Sequence, residues 1–147
     1  METDASGAFD EAGLVGQVRA TVGRLYRRFR SERAEGSLGD KALDVLTWLH
    51  KKGPQTLTQL SEVDGVAPAS MSQVVNRLTA AGYAVRMPDP GDRRKVLFRT
   101  TPEGAALAVA TRIQRNAWLA SRLDALSADD REVIARACTL LSGIAAT

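Results

Sequence analysis

With 147 residues, 44% hydrophobic and 25% charged, the chain suits a single compact soluble domain, 1–147; only 5% of its residues are aromatic, so a core of Ala, Leu and Val is expected. A lone cysteine, Cys138, excludes an internal disulfide framework, and no apolar run approaches the ~20 residues needed to span a bilayer, so a cytoplasmic location is expected. The formal charge of +3 admits a polyanionic partner without deciding for one, and the distribution of charge matters more than its total.

Met1 to Ala8 is small, polar and acidic; it reads as a loose tail and lacks the basic-then-apolar pattern of a signal peptide. From Phe9 to about Arg33 the pattern is helical, with Val15, Val18, Val22, Leu25 and Phe29 stepping by three and four. Such a seam serves either ordinary core packing or a second subunit. Arg24, Arg27, Arg28, Arg30 and Arg33 read as a solvated or acid-paired face rather than a nucleic-acid site. Ala34 to Gly39 breaks the helix, and Asp40 to Lys52 forms another that buries Leu43, Leu46 and Leu49. Trp48 is expected to fill core, and His50 has no Cys, Asp or Glu at metal-ligand spacing.

Gly53-Pro54-Gln55 turns the chain, and Thr56-Leu57 suits a short strand. Thr58 is expected to cap a short helix, Gln59 to about Val63, with Leu60 buried; Asp64-Gly65-Val66-Ala67 turns into a second helix. That helix begins at Pro68, commits Met71, Val74, Val75 and Leu78 to a core, and stops at Gly82. Its other face is small and polar, with Ala69, Ser72, Gln73 and Asn76 pointing away from the stripe and Ser70 and Arg77 on its flank. After Gly82 the period becomes two: Tyr83, Val85 and Met87 alternate with Ala84 and Arg86, and Val96 and Phe98 with Leu97 and Arg99. This predicts a hairpin with one buried face. Its tip carries two prolines, a glycine and the cations Arg93, Arg94 and Lys95. From Pro68 to Pro102 there are six cations and two acids, an excess of +4, while the rest of the chain is −1.

Thr101-Pro102-Glu103 is a helix start signal, for a helix to about Leu123 with Leu107, Ala110, Ile113 and Ala117 inward. Ser127-Ala128-Asp129-Asp130 opens a last helix to about Ile144, where Val133, Ala137, Leu140 and Ile144 repeat the three-four step of the first. Cys138 lies beside that seam and reads as a small buried hydrophobe.

Helix, glycine, arginine-bearing strand, Asp92-Arg93-Arg94 turn, strand and then Thr101-Pro102-Glu103-Gly104 resemble the recognition helix and wing of the multiple-antibiotic-resistance regulator (MarR) family of bacterial repressors. The likeness spans nearly the whole chain. Two positions depart from the family pattern: Thr100 stands where a leucine is usual, and Ala67 where a capping Ser or Thr is usual, which removes a side-chain N-cap. The resemblance implies a mainly α fold with a small β-hairpin wing. In it a winged helix-turn-helix DNA-binding region, 36–102, sits between N- and C-terminal dimerisation helices, 9–34 and 103–147.

The expected function is a sequence-specific regulator, a repressor, that binds double-stranded DNA as a homodimer on a near-palindromic operator. Ser70, Ser72, Gln73, Asn76 and Arg77 are the residues that can reach base edges, Arg77 suiting guanine and Gln73 or Asn76 adenine. Arg93 or Arg94 enters the adjacent minor groove, with Lys95 beside them; the family pattern favours Arg94, and has Asp92 pair with Arg86 or Arg93 to hold the tip. Similar repressors are released by small aromatic or phenolic effectors bound between the dimer helices and the winged helix, where Trp48, Trp118 and Met87 are candidates. No paired His and Cys or Ser, phosphate-cradling glycine loop or metal quartet points to an enzyme, so no catalytic residue and no cofactor are expected. The alternative is a winged-helix module that binds protein, with the hairpin as a docking edge.

Overall fold

The computed structural model describes residues 11–32 and 38–147. The expected tail, part of the expected break at 34–39, the start of the first helix at Phe9, and Arg33 therefore lie outside the described residues. Two compact units divide the chain, one ending at Glu32 and the other taking the rest.

In the first unit, α1 runs Glu11–Ser31. Its three-four seam is largely open to solvent: Val15 is 64% exposed, Val22 51% and Leu25 42%. Arg28 pairs with Glu32 at 2.6 Å, and Arg30 lies over the Tyr26 ring at 5.4 Å, so part of the basic run is engaged locally.

The second unit holds the core. Its elements are α2 (Asp40–Lys52), β1 (Gln55–Thr56), α3 (Leu57–Asp64), α4 (Pro68–Ala80), β2 (Ala84–Pro88), β3 (Val96–Thr100), α5 (Pro102–Asp124) and α6 (Ala128–Ala145). Leu43, Leu46 and Leu49 of α2 are buried as the periodicity requires, against Leu60 of α3 and Met71, Val75 and Leu78 of α4. Trp48 packs half-buried on the edge of this cluster, with Lys52 Nζ 5.3 Å from its ring centroid, and His50 is exposed. Lys41 pairs with Asp64 at 2.8 Å and so ties α2 to the end of α3; Arg115 reaches Asp44 at 3.4 Å between α5 and α2.

Three local expectations are corrected and one open choice is decided. First, α3 begins at Leu57, and its cap is Thr56, not Thr58. Thr56 Oγ1 accepts from Gln59 N at 3.1 Å, and Gln59 Oε1 accepts from Thr56 N at 2.9 Å, a reciprocal capping box that satisfies two donors at once. Second, the hairpin's buried face, which the sequence leaves open, is the one carrying Ala84 and Phe98. β2 and β3 pair with Ala84 opposite Thr100, Arg86 opposite Phe98 and Pro88 opposite Val96. Ala84 and Phe98 are buried, whereas Val85 and Met87 are half-buried and Val96 is 48% exposed. Both faces of this pleat carry apolar residues, so alternation cannot choose between them. The small Ala84 marks where the strand lies close against the core.

Third, the inward stripe of α5 is Gly104, Ala108 and Thr111, with Leu107 packed on the cluster, while Ala110, Ile113 and Ala117 are exposed. The stripe is set by Gly104: a Cβ there would lie 2.0 Å from the Tyr83 carbonyl oxygen, so only this residue type lets α5 cross the start of β2 so closely. Fourth, Cys138 is exposed rather than buried, because α6 places no residue in the core of its own chain. On α6, Val133 is 66% exposed, Leu140 62% and Ile144 71%. The expected caps elsewhere are present, with Thr101 Oγ1 accepting from Gly104 N and Ser127 Oγ from Asp130 N.

β1 pairs with β3, and the antiparallel sheet has the order β1-β3-β2. With α3 and α4 packed beneath it, this is a winged helix.

Candidate nucleic-acid interface

Helix α4 starts with Pro68 at its first position and has no side-chain cap at Ala67, leaving its first amides open to solvent or a ligand. The turn before it passes through Gly65 at φ 64, a left-handed conformation in which a side chain would be strained, and this turn sets α3 and α4 at an angle to each other. The apolar stripe holds α4 by one side, and its other side is free. Ser70, Gln73, Asn76 and Arg77 are exposed; Ser72 is half-buried and lines an open cleft of about 850 Å³ between α3, α4 and the wing. Arg77 Nη1 would lie 3.6 Å from a Cβ at Gly39, so its guanidinium sits beside the start of α2.

The wing tip is built by its own aspartates. Asp89 Oδ1 accepts from Gly91 N at 2.8 Å, and Asp89 N donates to Lys95 O at 3.0 Å, closing the loop. Asp92 Oδ1 accepts from Arg94 N at 3.0 Å and from Arg94 Nε at 3.2 Å. The amide of Arg94 first, then its side chain, hold the Asp92 carboxyl below the usual carboxylate range. The partner of Asp92 is thus Arg94, rather than Arg86 or Arg93. Arg94 remains 91% exposed along its side chain, and Arg93 and Lys95 are exposed beside it.

Arg86 has different work. Its Nη2 donates to Asn76 Oδ1 at 2.5 Å, and its guanidinium carbon lies 5.5 Å from the Phe98 ring centroid, across the β2–β3 pair. Wing and recognition face are joined through this side chain. The expectation for Arg86 is a pairing with Asp92 at the tip; the pair it makes instead, with Asn76, spans ten residues and two element types, so no local pattern announces it. The Thr56–Gln59 box, by contrast, was readable as Thr-x-x-Gln.

Among the described residues no group of His, Cys, Asp and Glu is placed to hold a metal ion, and no helix is long and apolar enough to cross a membrane. The arrangement offers donors and cations to an extended anionic surface.

Comparison with known proteins agrees with this geometry. Residues 40–96 match the MarR family. Over 131 residues the chain is 33% identical to the HTH-type transcriptional regulator ML2140 of Mycobacterium leprae, covering 89% of this chain and 92% of that one. The crystal structure of RV1404 from Mycobacterium tuberculosis superposes with a TM-score of 0.81 at 22% identity, covering 95% of this chain and 97% of the other. Bordetella bronchiseptica BpsR, whose DNA binding is regulated by 6-hydroxynicotinic acid, superposes with a TM-score of 0.63 at 26% identity over 86% of this chain and 98% of its own.

Proposed function

The chain belongs to the MarR family of winged-helix transcriptional regulators, and we propose that it acts as a repressor, a homodimer that reads a near-palindromic operator in double-stranded DNA. The observation that carries this reading is the pairing of an open polar face on α4 with an exposed cationic wing. The face has the width of one helix, which a major groove accepts, and the exposed Arg93, Arg94 and Lys95 of the wing suit the negative potential of an adjacent minor groove. Region 36–102 is the DNA-binding part of this proposal, and 9–34 with 103–147 the dimerising part. The exposed seams of α1 and α6 support a second copy, because apolar side chains in register along a helix gain stability when covered. A cytoplasmic location goes with a DNA partner, and no catalysis is part of the proposal.

The test is selection of bound duplexes from a random pool, which is expected to enrich a near-palindrome with half-sites about 34 Å apart. Recovery of no sequence would favour the alternative, a module that docks protein. Within the enriched duplex, Arg94→Ala is expected to weaken binding by about 1–3 kcal/mol, roughly 5- to 150-fold, measured by fluorescence anisotropy. Unchanged affinity would remove the wing tip from the mechanism.

The proposal extends to release by a small aromatic molecule. A cavity of about 160 Å³ opens between α2 and α3, lined by Asp44, Val45, Trp48, Leu60, Val63 and Asp64. Trp48 Nε1 is buried and has no hydrogen-bond partner, so an acceptor on a ligand would satisfy it. The volume is about that of cavities known to take a single aromatic ring. Of the three residues proposed from the sequence for an effector crevice, Trp48 lines this cavity and Trp118 and Met87 do not. Such a ligand acts only if it binds the DNA-competent and released forms unequally.

A further inference from the structure

We infer that Arg86 is a positioning residue that makes Asn76 a reader of hydrogen-bond acceptors, guanine above all, and not of adenine; the inference rests on the DNA-binding reading above.

Asn bound edge-on to adenine uses both ends of its amide: Oδ1 accepts from the base N6 amino group while Nδ2 donates to N7. In this protein Oδ1 faces a guanidinium, which has donors and no acceptor, and this fixes the orientation of the amide. Nδ2 is therefore the unengaged end, and the second lone pair of Oδ1 is left beside a cation. A cation held against Oδ1 also makes the surroundings electropositive, which repels an amino group and attracts N7 and O6. Guanine shows both of those acceptors to the major groove.

The arrangement is held in place on both sides. Arg86 is the cross-strand neighbour of Phe98, lies over its ring, and Phe98 is only 5% exposed, so the guanidinium rests on fixed core. Asn76 sits one residue beyond Val75, which is 1% exposed and anchors that turn of α4. Arg86 and Asn76 are themselves exposed, so DNA can approach the pair directly. Free Asn76 would suit adenine, as its chemistry alone suggests; tethered Asn76 does not.

The experiment is selection of bound duplexes from one random pool with four proteins: wild type, Asn76→Ala, Arg86→Leu and Arg86→Lys. Wild type is expected to enrich guanine at one symmetric pair in each half-site, and Asn76→Ala to lose the preference at that pair alone. Arg86→Leu keeps an aliphatic stem on Phe98 but frees Oδ1, and the preference at the same pair is expected to move from guanine toward adenine by about tenfold. Arg86→Lys keeps a donor and a charge and is expected to retain guanine. Melting curves and far-ultraviolet dichroism establish that each variant is folded. A double-mutant cycle in thermal stability between Asn76 and Arg86 reads the tether without DNA, and no coupling there would overturn the inference. So would an Arg86→Leu protein with unchanged base preference, or one weakened evenly on all sequences, as loss of a phosphate contact would produce. A wild-type protein that enriches no sequence would overturn the regulator reading and this inference together; enrichment without a guanine governed by Asn76 would overturn this inference alone.

Discussion

Raising monovalent salt from 50 to 200 mM is expected to weaken binding to the enriched duplex by about 10³- to 10⁵-fold, as found for proteins making some 6–10 phosphate contacts. The expectation follows from where the charge lies. The segment from Pro68 to Pro102 carries an excess of +4 and the rest of the chain −1, so two copies would bring two concentrated cationic surfaces to a polyanion. At the wing the cations are exposed and belong to a loop closed by Asp89 and Asp92, so counterion release follows from contact without first ordering a flexible arm. Titration of a labelled duplex by fluorescence anisotropy across the salt range gives the slope. A flat response would mean that phosphate contacts do not drive association, and would turn attention to a protein partner for the same surface.

Gly104→Ala is expected to destabilise the fold by about 3 kcal/mol, near the upper end for overpacking, because what the new methyl meets is backbone. The Cβ would lie 2.0 Å from the Tyr83 oxygen, 2.9 Å from its carbonyl carbon and 3.1 Å from its Cα. That carbonyl cannot swing away freely, since it accepts from Thr101 N at 3.0 Å; Thr101 Oγ1 also donates to the Gly82 oxygen at 2.6 Å. The methyl would therefore pry α5 off the junction between α4 and the wing. Urea denaturation of Gly104→Ala beside Glu103→Ala checks it, the latter being a surface change one residue away that is expected to stay within about 0.5 kcal/mol. Equal midpoints for wild type and Gly104→Ala would show that α5 can shift without loss.

The same junction shows why the Thr-Pro-Glu-Gly motif reads so clearly as a start signal while its purpose stays hidden. Thr101 as cap and Pro102 at the first turn are local devices, visible in four consecutive letters. Gly104 as a contact surface for Tyr83 involves a residue twenty-one positions earlier, and nothing near Gly104 in the chain betrays it. The hairpin teaches a related lesson. Its existence and the cationic tip were readable from the change of period and from the Pro-Asp-Pro-Gly run. The choice of buried face was not, because Val85, Met87 and Leu97 lie on one side of the pleat and Ala84, Val96 and Phe98 on the other. For α5, similarly, an apolar stripe through Ile113 looked as good as the one through Ala108 until the neighbouring backbone selected the slimmer face.

The candidate interface divides along the same line. Gln73, Asn76 and Arg77 were identifiable as an open face because the opposite stripe of α4 is apolar, and helical geometry leaves little choice once that stripe is recognised. What Arg86 and Asp92 do there was decided only by folding: strand pairing put Arg86 between Phe98 and Asn76, and the tightness of the tip put Arg94, rather than a more distant cation, on Asp92. The amino-acid order thus determined the succession of helices and strands, the caps with contiguous signals and the concentration of charge, all of which depend on neighbours within about one turn. Tertiary structure decided which faces close on one another and which polar groups meet. Those choices turn on side-chain size and backbone clearance between segments far apart in the chain, where no short-range periodicity carries the information.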